Sequence, residues 1–171
     1  MARSTRCSPA TVVSAALAAI AVTACGRPAP AGDAAAPGVA VVVEVVDGDT
    51  ITVRLGGREE QVRLLGIDTP ETVAPDSPVE CFGPEASARA HELLAPGTEV
   101  RLERDVEARD RFDRLLAHVV RHDDGLFVNE VLAAEGFADV LVIEPNVAHR
   151  DRIAAAVAAA RAEGRGRWGA C

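Results

Sequence analysis

The sequence predicts an α+β fold, a small closed barrel of five strands with three helices against it, on three observations. Short β-branched runs separated by turn residues dominate the first part of the domain. A stretch with helical spacing follows the third such run, and two more follow the fifth. The chain has 171 residues, 49% of them hydrophobic, which fills one core and leaves short extensions.

The first strand is expected over Val39 to Val46, and the second over Thr50 to Leu55, which alternates strictly. Asp47-Gly48-Asp49 between them makes a hairpin turn. Gly56-Gly57 then leads into a third strand, Glu60 to Ile67, completing a meander. Gly83-Pro84-Glu85 opens a helix with Pro in its first turn, Ala86, Ala90, Leu93 and Leu94 form its inner face, and Pro96-Gly97 ends it. Strands follow at Thr98 to Arg104 and Arg114 to Arg121. Leu126 to Glu135 reads as a short helix with Val128, Val131 and Leu132 on one face and Gly136 beyond its end. Asn146 is the candidate cap of a last helix running to Glu163, with Ile153, Ala156, Val157 and Ala160 inward. This order fits a five-stranded Greek-key barrel of the OB-fold type, while periodicity alone leaves other α+β arrangements open.

Aromatic residues make up 3% of the chain and Tyr is absent, so the core falls to Val, Leu, Ile and Ala. Each of the 18 cationic residues is Arg, a planar and permanently charged fork. The formal charge of −8 becomes −10 if Arg3 and Arg6 leave with residues 1–24. Such a domain has no long-range basic field, which counts against tight, non-specific DNA binding of the histone or repressor kind. An enzyme that concentrates a few cations in one cleft is still allowed.

Residues 1–24 have the charged start and small-residue apolar run, Ala10 to Ala24, of a secretory signal, and the run is too short to span a bilayer comfortably. It ends Val22-Thr23-Ala24-Cys25-Gly26, which resembles a bacterial lipobox in which Cys25 becomes the acylated first residue. A simple cleaved signal or a retained anchor is the alternative. Residues 25–38, rich in Pro, Ala and Gly, read as a tether, and residues 39–171 as the folded domain. The chain is therefore expected outside the cytoplasm as a membrane-anchored, secreted lipoprotein. Of the four cysteines, Cys81 and Cys171 remain for the domain, either as a disulfide or as free buried thiols. Export favours the disulfide, worth roughly 4–5 kcal/mol for so long a loop.

Three segments carry candidate chemistry. Asp47-Gly48-Asp49-Thr50 alone is an ordinary acidic hairpin turn, and Ile51 rules out a helix-loop-helix calcium motif. Arg63-Leu64-Leu65-Gly66-Ile67-Asp68-Thr69-Pro70-Glu71-Thr72 sets an Arg and two carboxylates where a strand runs into a loop. Alternation would put Arg63 and Asp68 on opposite faces, so the strand must bend, and Gly66 is the place for it. Arg109-Asp110-Arg111-Phe112-Asp113-Arg114 is a dense charge run before a strand, by itself a solvated surface laced with weak ion pairs.

In this order, together with Gly83 to Ser87, Val128 to Gly136, Pro145-Asn146 and Trp168, these segments resemble the staphylococcal (micrococcal, thermonuclease-like) nuclease family from about Val41 to Trp168. The resemblance implies a calcium-dependent hydrolase of DNA, RNA or both, single-stranded or denatured by preference, acting as a monomer and leaving 3′-phosphate ends. It assigns Ca²⁺ binding to Asp49 and Asp68 and to the Thr69 carbonyl, and catalysis to Arg63, Glu71 and Arg114. Hard oxygen donors suit Ca²⁺, two Arg forks suit the charge developing on a phosphoryl group, and Glu71 is placed to activate water.

The chain departs from the family at three places. Leu141-Val142-Ile143 lacks the Tyr residues expected there, Phe112 replaces another, and Asp113 stands where Gly precedes the second catalytic Arg. Weaker substrate binding is the expectation, since stacking is worth roughly 1–3 kcal/mol per base. Trp168 reads as a packed anchor, and His91, His118, His122 and His149 show no zinc spacing. The alternative function is a catalytically weak or inactive OB-fold module that binds nucleic acid or protein, and a structural spacer is a third reading.

Overall fold

The computed structural model describes residues 38–72 and 79–171. The readings on residues 1–37, including the signal and Cys25, lie outside the described residues. Among those residues no helix is long and apolar enough to cross a membrane.

The elements are β1 (Val39–Val45), β2 (Thr50–Leu55), β3 (Arg58–Leu64), β4 (Gly66–Asp68), α1 (Gly83–Leu93), β5 (Glu99–Glu103), β6 (Leu115–Arg121), α2 (Val128–Ala134), β7 (Asp139–Leu141), α3 (Arg150–Ala162) and α4 (Arg167–Ala170). Five strands close a barrel in the order β1-β2-β3-β6-β5, with β5 returning to β1. Neighbours are antiparallel except β3 and β6, which run parallel with Val62 opposite Leu115. This is the α+β OB-type barrel that the sequence predicts, with three helices against it and a one-turn helix, α4, at the end of the chain.

Alternation fills the barrel. Val42, Val53, Val62, Leu64, Val100, Ala117 and Val119 are buried from the strands, and Leu132, Ile153 and Val157 join them from α2 and α3. Each Val, Leu or Ile among them contributes about 1.5–3 kcal/mol on leaving water.

The third predicted strand is two strands. The chain breaks at Gly66, φ +82°, and β4 leaves the barrel to pair with β7. A Cβ at Gly66 would stand 2.5 Å from the Ile153 Cδ1, so the bend needs both the open φ and the missing side chain. Fully buried Asn129 staples it: its Nδ2 donates to the Leu65 carbonyl at 2.8 Å while its Oδ1 accepts the Val119 amide at 2.8 Å.

One further expectation is corrected. Asn146 does not cap the last helix, because its Oδ1 accepts the Glu107 amide at 2.8 Å, and α3 starts at Arg150 behind His149 in the left-handed region, φ +61°. Strand β7 went unpredicted because three residues are too few to show a period. Cys81 and Cys171 form the disulfide, with Cα atoms 6.1 Å apart. Trp168 is packed against the core as anticipated, with the Arg161 and Arg167 guanidiniums 4.1 and 5.0 Å from its ring.

Candidate active site

Every residue expected to carry chemistry in the described domain lines one polar cleft of about 200 Å³: Asp49, Arg63, Asp68, Thr69, Glu71 and Arg114, joined by Asp47, Thr50 and Pro70. The turn after β1 supplies Asp47 and Asp49, β3 supplies Arg63, the end of β4 supplies Asp68 and the loop after it Thr69 to Glu71. The parallel pairing of β3 with β6 brings Arg114, just ahead of β6, to the same place.

The hairpin turn is shaped by its own side chains. Asp47 Oδ1 accepts the Asp49 amide at 2.9 Å, a turn motif that aims Asp49 inward. A Cβ on Gly48 would lie 2.6 Å from the Thr69 Oγ1, so only glycine lets the two segments close. Thr69 then donates to Asp49 Oδ2 from its amide at 2.9 Å and from its hydroxyl at 3.2 Å, and Thr50 Oγ1 donates to Asp49 Oδ1 at 3.2 Å.

Arg63 is 6% exposed and clamps both sides of the Gly66 bend. Its Nη1 donates to the Leu64 and Ile67 carbonyls, each at 2.8 Å. Its Nη2 donates to Asp68 Oδ1 at 2.9 Å and lies 3.1 Å from Asp49 Oδ2. Burial pushes the Asp49 carboxyl up to about 6, against the opposing pull of Arg63; neighbouring Asp47 and Asp68 add to the rise and the Thr69 amide reduces it.

Arg114 is held differently. Asp110 Oδ2 accepts from its Nε and lies 2.8 Å from its Nη2, while Asp110 Oδ1 accepts the amides of Phe112 and Arg114. Partial burial raises the Asp110 carboxyl pKa, but its bonds to the Arg114 side chain and these amides more than offset that and hold it below its ordinary value. The charge run is therefore a built turn and not merely a solvated face. Asp113 occupies the left-handed region, φ +66°, which explains why a glycine suits the position. Its carboxylate lies 3.6 Å from Arg109 Nε, and its carbonyl accepts from Arg109, so its charge is shared with Arg109 while Arg114 pairs with Asp110. Phe112 is 64% exposed beside the cleft, with the Arg111 and Arg114 guanidiniums 4.6 and 5.5 Å from its ring.

Glu71 accepts the Thr72 amide at 2.9 Å through Oε1. Residues 141–143 present only aliphatic side chains, with Val142 36% exposed. Sequence reasoning missed Asp47, Asp110 and Asn129 as members or supports of the site; all three sat inside recognised motifs, but their roles depend on long-range or turn geometry. It also missed that His118 and His149 meet, with ring centroids 4.8 Å apart. No grouping of three or more His, Cys, Asp or Glu suited to a metal occurs among the described residues. The cleft instead gathers four carboxylates, Asp47, Asp49, Asp68 and Glu71, with two threonines and the guanidiniums of Arg63 and Arg114.

A closed OB-type barrel whose parallel strand pair delivers two arginines to a cleft ringed by aspartates defines the class: a small α+β domain with an oxygen-rich, cation-flanked cleft. The chain belongs to the staphylococcal nuclease family, whose model, described as Staphylococcal nuclease homologue, matches residues 61–170. It is 42% identical over 112 residues to a thermonuclease of Staphylococcus hyicus, covering 66% of this chain and 64% of that protein. It is 43% identical over 110 residues to a thermonuclease of Staphylococcus intermedius, covering 64% of each. With endonuclease YncB of Bacillus subtilis (strain 168) it shares 45% identity over 109 residues, 63% of this chain and 50% of the other. The matched region thus spans half to just under two thirds of the length of these relatives.

Proposed function

We propose that this chain is a calcium-dependent nuclease that hydrolyses phosphodiester bonds of DNA, RNA or both and leaves 3′-phosphate ends. The observation that carries the reading is the convergence of Asp49, Arg63, Asp68, Glu71 and Arg114, drawn from three separate segments, on one cleft. Similarity to thermonucleases and an endonuclease supports the same chemistry.

The donor set fits a hard divalent cation. Asp68 gives one oxygen to Arg63 and keeps the other, Asp49 faces Arg63 through Oδ2 and accepts a 3.2 Å bond from the Thr50 hydroxyl on Oδ1, and the Thr69 carbonyl would complete an all-oxygen set. When bound there, Ca²⁺ would supply charge neutralisation for a phosphoryl oxygen. Arg63, fixed in plane by two carbonyls, turns Nη2 from the carboxylates toward the phosphate, and Arg114 reaches it from the opposite segment. Both forks bind more strongly as charge grows on the equatorial oxygens. Glu71 takes the proton of the attacking water, and the bond to the 5′ oxygen breaks. The exposed aliphatic stretch at residues 141–143 offers a weaker seat for a base than a ring would.

The test is digestion of denatured DNA by the purified protein, abolished by a chelator, restored by calcium, and reduced by about two to four orders of magnitude in Glu71→Gln. Undiminished digestion in Glu71→Gln would overturn the assignment. The readings of residues 1–24 as an export signal and of Cys25 as a lipid anchor are part of the same proposal. Incorporation of labelled fatty acid that disappears in Cys25→Ser checks them.

A further inference from the structure

We propose that the Cys81–Cys171 disulfide is a positioning element for Glu71, holding the loop that carries this residue in working register; the inference rests on the nuclease reading above. Glu71 and Glu80 are tied to each other twice. The Glu80 amide donates to the Glu71 carbonyl at 3.0 Å, and the Glu71 amide donates to Glu80 Oε2 at 3.2 Å. Cys81 comes next. Gly83 then donates to the Glu80 carbonyl at 3.0 Å and packs so closely on the loop that a Cβ would stand 3.0 Å from the Glu71 carbonyl oxygen. Gly83 at the head of α1 thus packs on the Glu71 carbonyl, and whatever fixes Glu80 and Cys81 governs the two further bonds between Glu80 and Glu71.

Helix α1 does not need the disulfide to stay in place. Ala86, Ala90 and Leu93 are buried, and Arg89 forks onto Glu135 of the α2 end at 2.6 and 2.8 Å. The stretch ahead of the helix is different. Glu80 and Cys81 are exposed, and Phe82 sits in the left-handed region, φ +69°. The Phe82 carbonyl accepts the Ala86 amide at 3.0 Å and its ring lies on Phe137, centroids 5.3 Å apart, while the covalent tie of this stretch to the C-terminus is the sulfur bridge. The other end of that bridge is well founded. Arg167 donates to the Gly136 carbonyl at 3.0 Å, and the Gly136 and Gly166 backbones touch where no Cβ would fit. The bridge thus transmits the position of a docked C-terminus to the base of the Glu71 loop.

Reduction by a dithiol breaks the S–S bond, delivers two electrons and two protons to give thiols on Cys81 and Cys171, and closes the reductant to its own disulfide. The helix and barrel stay packed while residues 80–82 slacken, so the chain is a slower enzyme wherever thiols are kept reduced.

The experiment compares the full chain, oxidised and reduced with excess dithiothreitol, at a temperature where circular dichroism shows both folded. The expected result is a kcat five- to twentyfold lower on reduction with KM within twofold, and amide exchange at Glu71 at least tenfold faster. A reduced, folded protein with kcat within twofold of the oxidised one overturns the proposal. If reduction unfolds the chain, Glu80→Ala with the disulfide intact serves instead: a three- to fivefold fall in kcat at unchanged KM supports the coupling and an unchanged kcat refutes it. An oxidised chain that digests nothing overturns the nuclease reading. The exchange arm still decides the mechanical claim in that case, since unaltered Glu71 exchange on reduction sinks it.

Discussion

Arg63 and His118 are buried almost equally, 6% and 1% exposed, yet the fold treats them in opposite ways. Arg63 has four oxygen partners and sits against two carboxylates. His118 packs in a cluster of three rings with Phe127 and His149, and no side chain hydrogen-bonds its ring nitrogens, the Ala148 backbone being the polar group nearest to act on it. Burial pushes it down to about 4, with His149 adding to the fall and Asp105 and Glu103 opposing it. One region is built to keep charge where water is excluded, and the other keeps a titratable ring neutral. The difference lies in partners and not in depth.

The sharpest way to break the contrast is Arg63→Ala. It strips Asp49 of its counter-ion, so we expect a loss of about 3–5 kcal/mol at neutral pH by denaturant unfolding, smaller in acid where Asp49 can protonate. Turnover should fall by orders of magnitude in the same variant.

Acid probes the other region. His118 is protonated more readily unfolded than folded, so its contribution to stability is lost as pH falls from about 6.5 towards about 4. Asp49 works the other way: its folded pKa of about 6 exceeds the unfolded 3.8, so proton uptake there favours the folded state over much the same window. Wild-type stability therefore hides both effects. The difference between His118→Phe and wild type isolates one, and should shift in favour of the variant by roughly 2–3 kcal/mol between pH 7 and 4.

Arg114 is an intermediate case, half-buried and dependent on one carboxylate. Asp110→Ala should cost about 1–2 kcal/mol of stability and lower kcat about tenfold, because Arg114 and the turn amides lose a common acceptor. The smallest change is Asp113→Gly. Relief of the left-handed backbone is partly offset by unfolded-state entropy, leaving a gain of about 0.5 kcal/mol in thermal unfolding.

Much of this was legible from sequence because the signals were local. The Asp-Gly turn, the alternation of Thr50–Leu55 and the conflict between Arg63 and Asp68 that required a bend at Gly66 all lie within a few residues. What was not legible depends on partners far along the chain. Asn129 holds Leu65 across 64 residues, and Asn146 bonds Glu107 across 39, which takes it away from the helix end. His118 and His149 share no spacing that would announce contact. Phe82 and His149 precede their helices in the left-handed region without a side-chain cap, a conformation that no residue preference signals.

The disulfide also divides the covalent structure in a way the cleft ignores. Residues 81–171 form a macrocycle, and residues 38–80 an open arm leading into it. Asp49, Arg63, Asp68 and Glu71 belong to the arm, whereas Arg114 and Asn129 belong to the ring. A protease cut within the ring leaves one molecule on a non-reducing gel. A single cut between Glu71 and Cys81 would instead leave the first four strands without a covalent link to the rest, dividing the cleft between two fragments held together by strand pairing, a shared core and the Asn129 bond to Leu65.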